Sequence, residues 1–447
     1  MAQSNYEVII IGGGVCGTAL LYTLSNYTNL KRIALIEKEA DVALVNSFTN
    51  GNSQTLHFGD IETNYTLAKA EKVNAGASLV KNYLLTQDSQ QNIYTKYHKM
   101  VLGVGTEQVS QLKARYQKFS LLFPNLKLLE PQEIAAKEPK VFVERDANED
   151  LIALYTDEGY TLDYRRLAQS FVEGAANSDT AADFLFNTKV KQISRQGDLY
   201  QVKTQSQTLQ SPVVIVAAGA HSLLFAKSLG YGLNYALLSV AGSFYFAPGV
   251  LNGKVYTVQR EKLPFAAVHG DPEVHDSAIA RFGPTAKVLP MLERHKYGSI
   301  IEYFQTAGLS LKAFLSFANI LSDLVILKYI LLNLLYDLPW LGKRLFIKEV
   351  RRIIPSIKLK DLSYAKGYGG VRPQVVNLNT KKLEMGAAKI VGDNIVFNIT
   401  PSPGASTCLQ NALEDTEQII DFLGGDYQFQ RERFMADLSE EQSKVIN

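Results

Sequence analysis

The stretch YEVIIIGGGVCG, residues Tyr6–Gly17, decides the fold. An apolar, β-branched run that ends at Ile11 is typical of a buried strand, and the glycines at positions 12, 14 and 17 have the spacing G-x-G-x-x-G. A helical segment, Thr18–Tyr27, and a second apolar run, Arg32–Ile36, follow. The order strand, glycine turn, helix and strand predicts a Rossmann-like domain that binds a dinucleotide.

Each glycine of that G-x-G-x-x-G spacing has a physical task. Gly12 permits the tight turn, Gly14 lets the backbone approach a pyrophosphate, and Gly17 lets the helix lie close to the strand. The free N–H groups at the start of the helix would then hold the phosphates. Glu37 closes the second strand 20 residues beyond the last glycine, where a carboxylate would bind the ribose hydroxyls. The residues of this segment predicted to bind the dinucleotide are Gly12, Gly13, Gly14, Gly17, Glu37 and Lys38.

The length and composition are those of an ordinary globular protein. With 447 residues, 46% of them hydrophobic and 20% charged, the chain is long enough for two or three domains. Its 46 basic and 44 acidic residues leave a formal charge of +2, so no global basic field points to nucleic acid as a partner. Cys16 and Cys408 lack the spacing of a zinc site, a redox pair or a disulfide framework, which indicates a reducing compartment.

No segment is expected to direct secretion or to cross a membrane. The first apolar run is short, lacks a basic region before it and breaks into glycines, so it is predicted to be a strand. The most apolar region, Leu309–Leu341, is interrupted by charged side chains at positions 312, 323, 328 and 337. It therefore lacks the roughly 18 uninterrupted apolar residues that a spanning helix requires.

Later segments of the chain resemble a known group of flavoenzymes. Four of them resemble FAD enzymes of the D-amino-acid oxidase type, in order along the chain: Gly159–Leu167, Lys189–Ile193, Val213–Ser222 and Gly370–Pro373. Four others are similar to the malate:quinone oxidoreductases: Asn50–His57, Ile61–Tyr65, Val240–Tyr245 and Thr400–Leu409. The resemblance to that family runs from residue 6 to about residue 435.

The resemblance implies an α/β fold with two interleaved domains. A Rossmann-like FAD-binding domain would comprise residues 1–60, 150–235 and 361–447. An antiparallel-sheet α+β substrate domain, which also faces the membrane, would comprise residues 61–149 and 236–360. Alternating side chains in Ser243–Phe246 favour the antiparallel sheet.

The same resemblance implies FAD that is bound without a covalent link. Val213–Val216 followed by Ala-Ala-Gly is typical of a strand that turns beneath a cofactor, although an ordinary sheet strand has the same pattern. The turn at Pro401–Gly404 predicts a helix that begins at Ala405, whose positive end would face the flavin pyrimidine; a plain strand-to-helix connection is the alternative. The further residues predicted to bind FAD are Ser53, Gln54, Thr55, Val190, Ala218, Gly219, Pro403, Gly404, Ala405 and Ser406.

Two histidines are candidates for the catalytic base. Oxidation of a 2-hydroxy acid requires a group that takes the hydroxyl proton while the C2 hydride leaves. His269 ends an apolar strand and precedes Asp271, which could orient it, whereas His57 follows a loop that by resemblance runs along the flavin. Each could equally be a hydrogen-bonded histidine without a catalytic role. A metal cluster of His269, Asp271, Glu273 and His275 fits no standard spacing, so no metal is predicted.

Two arginines are candidates for binding the substrate carboxylates. Arg372 matches the arginine that clamps the substrate carboxylate in amine-oxidising relatives, and its planar fork suits that task; a salt bridge at a strand end is the alternative. Malate carries two carboxylates, so a second cation is expected. Arg281 is the candidate, with Lys262 behind it.

No cysteine cluster or haem-attachment motif offers a second redox centre. A membrane quinone is the electron acceptor that the resemblance implies. Residues 338–360 contain seven basic side chains against the single acidic Glu349, just after the apolar region. Residues 309–360 are therefore predicted to contact an anionic membrane surface, and the protein to be cytoplasmic and peripheral on the inner face of the cell membrane. An interfacial helix would carry its basic side chains on one face and Phe346, Val350 and Ile353 on the other. A solvated helix face above a packed core is the alternative.

The expected activity is the FAD-dependent oxidation of (S)-malate to oxaloacetate, with electrons passed to quinone. A quinone-linked dehydrogenase of another 2-hydroxy acid, L-lactate or L-2-hydroxyglutarate, is the nearest alternative. An amino-acid or amine oxidase comes next. A non-catalytic protein that keeps FAD as a structural element is the last.

Overall fold

The computed structural model describes residues 4–86, 92–259, 267–307, 310–384 and 388–439. The strands in these ranges are Ser4–Asn5 (β1), Val8–Ile11 (β2), Arg32–Ile36 (β3), Tyr94–Val104 (β4), Lys127–Leu129 (β5), Leu151–Leu162 (β6), Ala181–Leu185 (β7), Gln192–Gln196 (β8), Leu199–Lys203 (β9), Thr208–Ser211 (β10), Val213–Val216 (β11), Tyr235–Ala241 (β12), Tyr245–Pro248 (β13), Lys254–Thr257 (β14), His269–Pro272 (β15), Ile279–Gly283 (β16), Lys287–Val288 (β17), Ser363–Tyr364 (β18), Val371–Asn377 (β19), Lys382–Leu383 (β20), Ala388–Val391 (β21) and Ile395–Ile399 (β22).

The helices in the same ranges are Val15–Tyr27 (α1), Leu67–Thr86 (α2), Thr106–Phe119 (α3), Pro131–Lys137 (α4), Tyr164–Ala176 (α5), His221–Ser228 (α6), Ser299–Ala307 (α7), Leu311–Leu321 (α8), Leu324–Tyr336 (α9), Leu341–Val350 (α10), Cys408–Leu423 (α11) and Arg431–Asp437 (α12). Short 3-10 turns occupy Pro139–Val141 and Leu359–Asp361.

A six-stranded sheet with the order β21-β22-β11-β2-β3-β7 forms the centre of the first domain. Its strands pair in parallel except for β21, which is antiparallel to β22. The strands β2, β11 and β22 are fully buried runs of mostly β-branched residues, as expected for a parallel sheet covered on both faces. Helices α1, α5 and α11 pack on one face and share an apolar core with it. A smaller sheet, β1-β10-β9-β8, lies beside β2 and β11.

An eight-stranded sheet with the order β18-β13-β16-β15-β14-β4-β6-β5 dominates the second domain. Every pairing in it is antiparallel except β14 with β4. A four-stranded sheet, β17-β12-β19-β20, is antiparallel throughout. The predicted α/β fold, a parallel-sheet domain interleaved with an antiparallel-sheet domain, is thus confirmed.

Four strands pair differently from the domain ranges that the sequence predicts. β6 lies within the range 150–235 predicted for the FAD-binding domain, yet it pairs with β4 and β5 in the eight-stranded sheet. β18, β19 and β20 lie within the range 361–447. β18 nevertheless pairs with β13 in the eight-stranded sheet, and β19 pairs with β12 and β20 in the four-stranded sheet. These strands therefore belong to the sheets of the second domain.

Helices α8, α9 and α10 form the part of the second domain for which membrane contact is predicted. Many apolar side chains of α8 and α9 are exposed: Leu311, Phe314, Leu315, Leu321, Leu324, Val325, Leu331, Leu334 and Leu335. The prediction of an interfacial helix in the basic segment, residues 338–360, is wrong in one respect. Its apolar residues Phe346, Val350 and Ile353 are fully buried in a core cluster, because they pack against the eight-stranded sheet. Most of the exposed apolar side chains of residues 310–360 lie on α8 and α9, and Leu338, Trp340 and Leu341 add to them at the start of α10.

Within the described ranges, no single helix has the length and apolar composition to cross a membrane, whereas α8 and α9 meet that test only as a pair bent by 89°.

Candidate active site

A cavity of about 270 Å³ lies at the carboxyl ends of the parallel strands β2, β3, β11 and β22. Residues at or just beyond these ends line it, namely Ile11, Ile36, Ala217 and Thr400. The carboxyl edge of an open parallel sheet is where dinucleotides bind in this type of fold. The position of the cavity therefore fits the site that the glycine motif predicts.

At two positions the glycine turn has no room for a side chain. Gly12 has φ +114°, and a Cβ atom there would lie 2.5 Å from the Ala217 carbonyl oxygen. A Cβ atom on Gly17 would lie 2.0 Å from the Gly12 carbonyl oxygen. Gly14 and Val15 line the cavity, and Gly14 provides no side-chain cap for α1. The Val15 N–H donates to the Ser47 hydroxyl at 3.1 Å, and the positive end of the helix dipole faces the site that a phosphate group would occupy.

Glu37 and Lys38 both line this cavity. The Glu37 carboxylate accepts hydrogen bonds from the backbone N–H groups of Gly13 at 2.7 Å and Glu39 at 2.9 Å, which fixes its position at the end of β3. The Lys38 ammonium forms an ion pair with Glu293, and burial lowers the pKa of Lys38 to about 8. Gly13 lies behind Glu37 and does not itself line the cavity.

The turn after β22 faces the same cavity, and residues 400–406 all line it. The predicted helix start at Ala405 is wrong, because residues 402–407 form turns and α11 begins at Cys408. The Ser406 hydroxyl accepts a hydrogen bond from the His57 backbone N–H at 3.0 Å and contacts the Tyr164 hydroxyl at 3.2 Å. The turn is therefore anchored to the loop that carries His57.

Most of the other residues predicted to bind FAD also line the larger cavity. These are Ser53, Thr55, Val190, Ala218, Gly219, Pro403, Gly404, Ala405 and Ser406. Gln54 does not; its buried side chain donates to Glu273 at 2.8 Å and accepts from the Val274 N–H at 3.2 Å. Gly17 packs on Gly12 beneath the turn. The cradle of glycines, the uncapped helix and the long cavity fit a dinucleotide such as FAD.

A smaller cavity of about 80 Å³ opens beside the larger one. The two share Ser53, His57, Arg372 and Ser402 as lining residues. The remaining wall comes from the segment 61–65, from α2, and from the strands that carry Tyr256, His269 and Gln374. A chamber that adjoins the end of a dinucleotide site is suited to a small substrate.

His269 lies in the wall of this chamber and is almost completely buried. Its ring stacks on Tyr256, the cross-strand neighbour in β14, with centroids 4.5 Å apart. Its Nδ1 atom is 3.3 Å from the Ala267 carbonyl oxygen, and Nε2 has no hydrogen-bond partner in the described part of the chain. Burial, opposed by the charge of Asp271, lowers the pKa of His269 to about 3. The imidazole is therefore neutral near pH 7, with one ring nitrogen free.

His57 lines both cavities and has a carboxylate partner. Its Nδ1 atom is 2.7 Å from Oε1 of Glu62. Burial alone would raise the pKa of Glu62, but the hydrogen bond and charge of His57 lower it to about 2. The sequence motif Ile61–Tyr65 points to this segment without indicating that Glu62 is the partner of His57.

Arg372, the second residue of β19, also lines both cavities. Within the described ranges its guanidinium has no carboxylate partner. Burial lowers the pKa of Arg372, and the nearby Tyr329 and Tyr65 oppose that shift. A guanidinium that ordinarily stays charged in water and has no carboxylate partner among the described residues is suited to bind an anion.

Arg281 and Asp271 lie behind the chamber wall rather than on it. Asp271 accepts hydrogen bonds from Lys254 at 2.7 Å and from Arg281 at 2.9 Å, and all three side chains are fully buried. Arg281 also donates to the Ser53 carbonyl oxygen at 3.0 Å. Neither cavity is lined by Arg281. The carboxylate that the sequence assigned to orienting His269 is thus engaged by two cations, and Lys262 lies outside the described residues.

The four side chains that the sequence analysis considers as a metal cluster each contact a different partner. His269 stacks on Tyr256, Asp271 pairs with Lys254, and Glu273 binds Gln54. The fourth member, His275, lies 2.7 Å from Asp163. Lys69 and Tyr256 line the chamber but were not among the predicted site residues, because neither belongs to a recognisable motif.

Known proteins share this architecture. A family model described as malate:quinone oxidoreductase (Mqo) matches residues 4–422. A malate:quinone oxidoreductase of Helicobacter pylori (strain ATCC 700392 / 26695) is 43% identical, over 98% of this chain and 99% of that protein. A probable malate:quinone oxidoreductase of Campylobacter jejuni subsp. jejuni (serotype O:2) is 41% identical, over 98% of this chain and 100% of that protein.

The fold is also found among solved structures. The dithionite-reduced L-α-glycerophosphate oxidase of Mycoplasma pneumoniae, solved with FAD bound, has a TM-score of 0.68 at 17% identity, over 96% of this chain and 97% of that one. At such low identity the likeness concerns the fold alone. The full-length family match and the relatives above 40% identity go further, and the chain belongs to the malate:quinone oxidoreductase family.

Proposed function

We propose that this protein oxidises (S)-malate to oxaloacetate and passes the two electrons to quinone. One observation carries the proposal beyond family membership. The predicted dinucleotide cavity opens, at Ser53, His57, Arg372 and Ser402, into a chamber with an unpaired guanidinium and an unpaired imidazole nitrogen among the described residues. A 2-hydroxy acid needs both groups, a cation for its carboxylate and a base for its hydroxyl proton.

Arg372 binds the C1 carboxylate of the substrate through its planar fork. This places the neighbouring C2 hydroxyl inside the chamber. His269 Nε2 accepts the hydroxyl proton, which its neutral state permits near pH 7. The stack on Tyr256 and the contact of Nδ1 with the Ala267 carbonyl oxygen hold the ring in place.

His57 is the alternative base, supported by its place between the two cavities. Its hydrogen bond to Glu62 would stabilise the imidazolium once the proton has been transferred. In the role that we favour, the backbone N–H of His57 anchors its loop to the Ser406 hydroxyl. The His57 side chain stabilises negative charge beside the substrate.

FAD bound in the larger cavity would supply the acceptor for the C2 hydride and the route for the electrons to quinone. The residues that would hold it are the glycine turn with Glu37 and Lys38, the Ser53–Thr55 loop, Val190, Ala218, Gly219 and the Pro403–Ser406 turn. We expect no covalent link. Burial raises the pKa of the Cys16 thiol, the cysteine that lines the cavity, to about 11, so this thiol is a poor nucleophile. Acid precipitation of the protein should therefore release all of the yellow flavin into the supernatant.

Helices α8 and α9 dock the protein on an anionic membrane surface at the inner face of the cell membrane, where quinone resides. Leu311, Phe314 and Leu324 are 73%, 69% and 76% exposed, which is unusual for apolar side chains so close in sequence. Lys312 and Lys328 are exposed on the same two helices. An apolar surface with basic side chains around it is suited to the boundary between lipid headgroups and acyl chains.

Steady-state turnover tests the proposed reaction. Purified protein with FAD, L-malate and a quinone analogue should form oxaloacetate and quinol in a 1:1 ratio. L-Lactate, L-2-hydroxyglutarate and several amino acids serve as competing substrates in parallel reactions. Turnover with one of these acids and not with malate would support the proposed type of reaction but assign it a different substrate. Turnover with none of them would support a non-catalytic FAD protein.

A further inference from the structure

The charges on the chamber wall are suited to a dianion. Among the described residues that line the smaller cavity, the cationic side chains besides histidine are Arg372 and Lys69. The carboxylate of Glu62 lines it too, but this group is engaged by His57 at 2.7 Å. The chamber therefore offers a ligand two cations that form no ion pair with a carboxylate among the described residues.

Lys69 has no anionic partner of its own. It is the third residue of α2, and its Nζ atom lies 4.0 Å from the centroid of the Tyr65 ring. In the described ranges its ammonium forms no ion pair or hydrogen bond. Burial lowers the pKa of Lys69, and the charge of Glu62 opposes that shift. Lys72, one turn further along α2, is 75% exposed and pairs with Glu414 at 3.9 Å.

Both cations line the same chamber as Tyr65. Lys69 lies over the face of the Tyr65 ring, with Nζ 4.0 Å from its centroid. Burial raises the pKa of Tyr65, and the charges of Glu62 and Arg372 act on it in opposite directions. Two cations in the wall of one small chamber suit a ligand that carries two carboxylates.

We propose that Lys69 binds the distal carboxylate of the substrate and thereby selects a dicarboxylic 2-hydroxy acid over a monocarboxylic one. This inference rests on the proposed function, in which Arg372 binds the proximal carboxylate. It assigns to Lys69 the task predicted from the sequence for Arg281, whose guanidinium is engaged by Asp271 behind the wall.

The test compares Lys69→Met with Lys72→Met as a matched control on the same helix. Lys69→Met should raise the KM for malate by about 10- to 100-fold, the range for a lost hydrogen bond between charged groups. Lys69→Arg should restore part of the affinity. Lys72→Met should behave as the unaltered protein.

Binding of a non-reactive ligand separates this inference from the proposed function. Isothermal titration calorimetry of the FAD-loaded protein gives the affinities for succinate and for propionate. The difference between the two affinities is the contribution of the second carboxylate. Lys69→Met should weaken the binding of succinate and leave the binding of propionate unchanged. An unchanged succinate affinity, or equal losses for both acids, would overturn the role of Lys69. Failure of malate to reduce the flavin would overturn the proposed function, while the succinate result would still stand.

Discussion

His269 combines two properties that rarely occur together in a buried side chain. Its ring is fixed by a stack on Tyr256 and belongs to the wall of the chamber, yet its buried Nε2 atom has no partner in the described residues. An unsatisfied buried nitrogen is costly unless a ligand completes it. A substrate hydroxyl is the group that the proposed reaction would place there.

His269→Gln tests this role. The variant should retain FAD but reduce it with malate about 10²- to 10⁴-fold more slowly, the usual contribution of a general base. Rapid-mixing measurement of flavin absorbance gives the rate. His98→Gln is the control, because His98 is bonded to Glu138 at 2.9 Å and lines neither cavity. A near-normal rate in His269→Gln would transfer the role to His57.

The pH dependence of stability provides a second test of the same residue. Burial depresses the pKa of His269 from 6.5 to about 3, so the folded state favours the neutral ring. The contribution of the buried neutral ring to the free energy of unfolding is fully present above pH 6.5. It is lost as the pH falls from 6.5 towards 3, since the unfolded chain takes up the proton first. Urea midpoints between pH 7.5 and pH 4.5 should fall less steeply in His269→Gln. Parallel curves would contradict a buried neutral His269.

Arg372→Lys separates charge from shape at the substrate carboxylate. A lysine keeps the positive charge but cannot form two parallel hydrogen bonds, so the KM for malate should rise by about tenfold or more. The flavin spectrum should stay unchanged. An unaltered KM would remove Arg372 from the substrate site.

Among the elements, α8 and α9 carry the membrane prediction. Leu324→Glu places a charge at the exposed start of α9 and should lower binding to anionic vesicles by about tenfold, as expected for the loss of one buried leucine. Co-sedimentation measures the bound fraction. Leu121→Glu is the control, since Leu121 is 87% exposed on a distant turn. Equal losses in both variants, or in neither, would contradict docking through α8 and α9.

The elements also reveal the limits of sequence patterns. The short apolar strands Arg32–Ile36 and Val213–Val216 are predicted with their observed bounds, because proline or charged residues flank the runs. The apolar face of α10 was detected as well. Its periodicity could not indicate whether protein core or lipid covers that face, and the structure places Phe346 and Val350 in the core.

Across the whole molecule, the active-site chamber is assembled from segments far apart in the chain. His57, His269 and Arg372 meet there although more than 100 residues separate each from the next. The glycine motif locates the cofactor cavity, since the carboxyl ends of parallel strands always form one edge. No sequence motif of this kind indicates which side chains of an antiparallel sheet face inward. Arg281 therefore looked equivalent to a chamber residue, and Lys69 could not be singled out.

Anaerobic reduction of the flavin by malate tests the central claim most directly. Purified FAD-loaded protein is mixed with L-malate without oxygen, and the absorbance near 450 nm, roughly where oxidised flavin absorbs, is followed. We expect rapid bleaching by L-malate, slower or no bleaching by L-lactate, and recovery of the colour when a quinone is added. A flavin that stays oxidised with malate, or one that malate bleaches but quinone cannot reoxidise, would contradict the proposed malate:quinone activity.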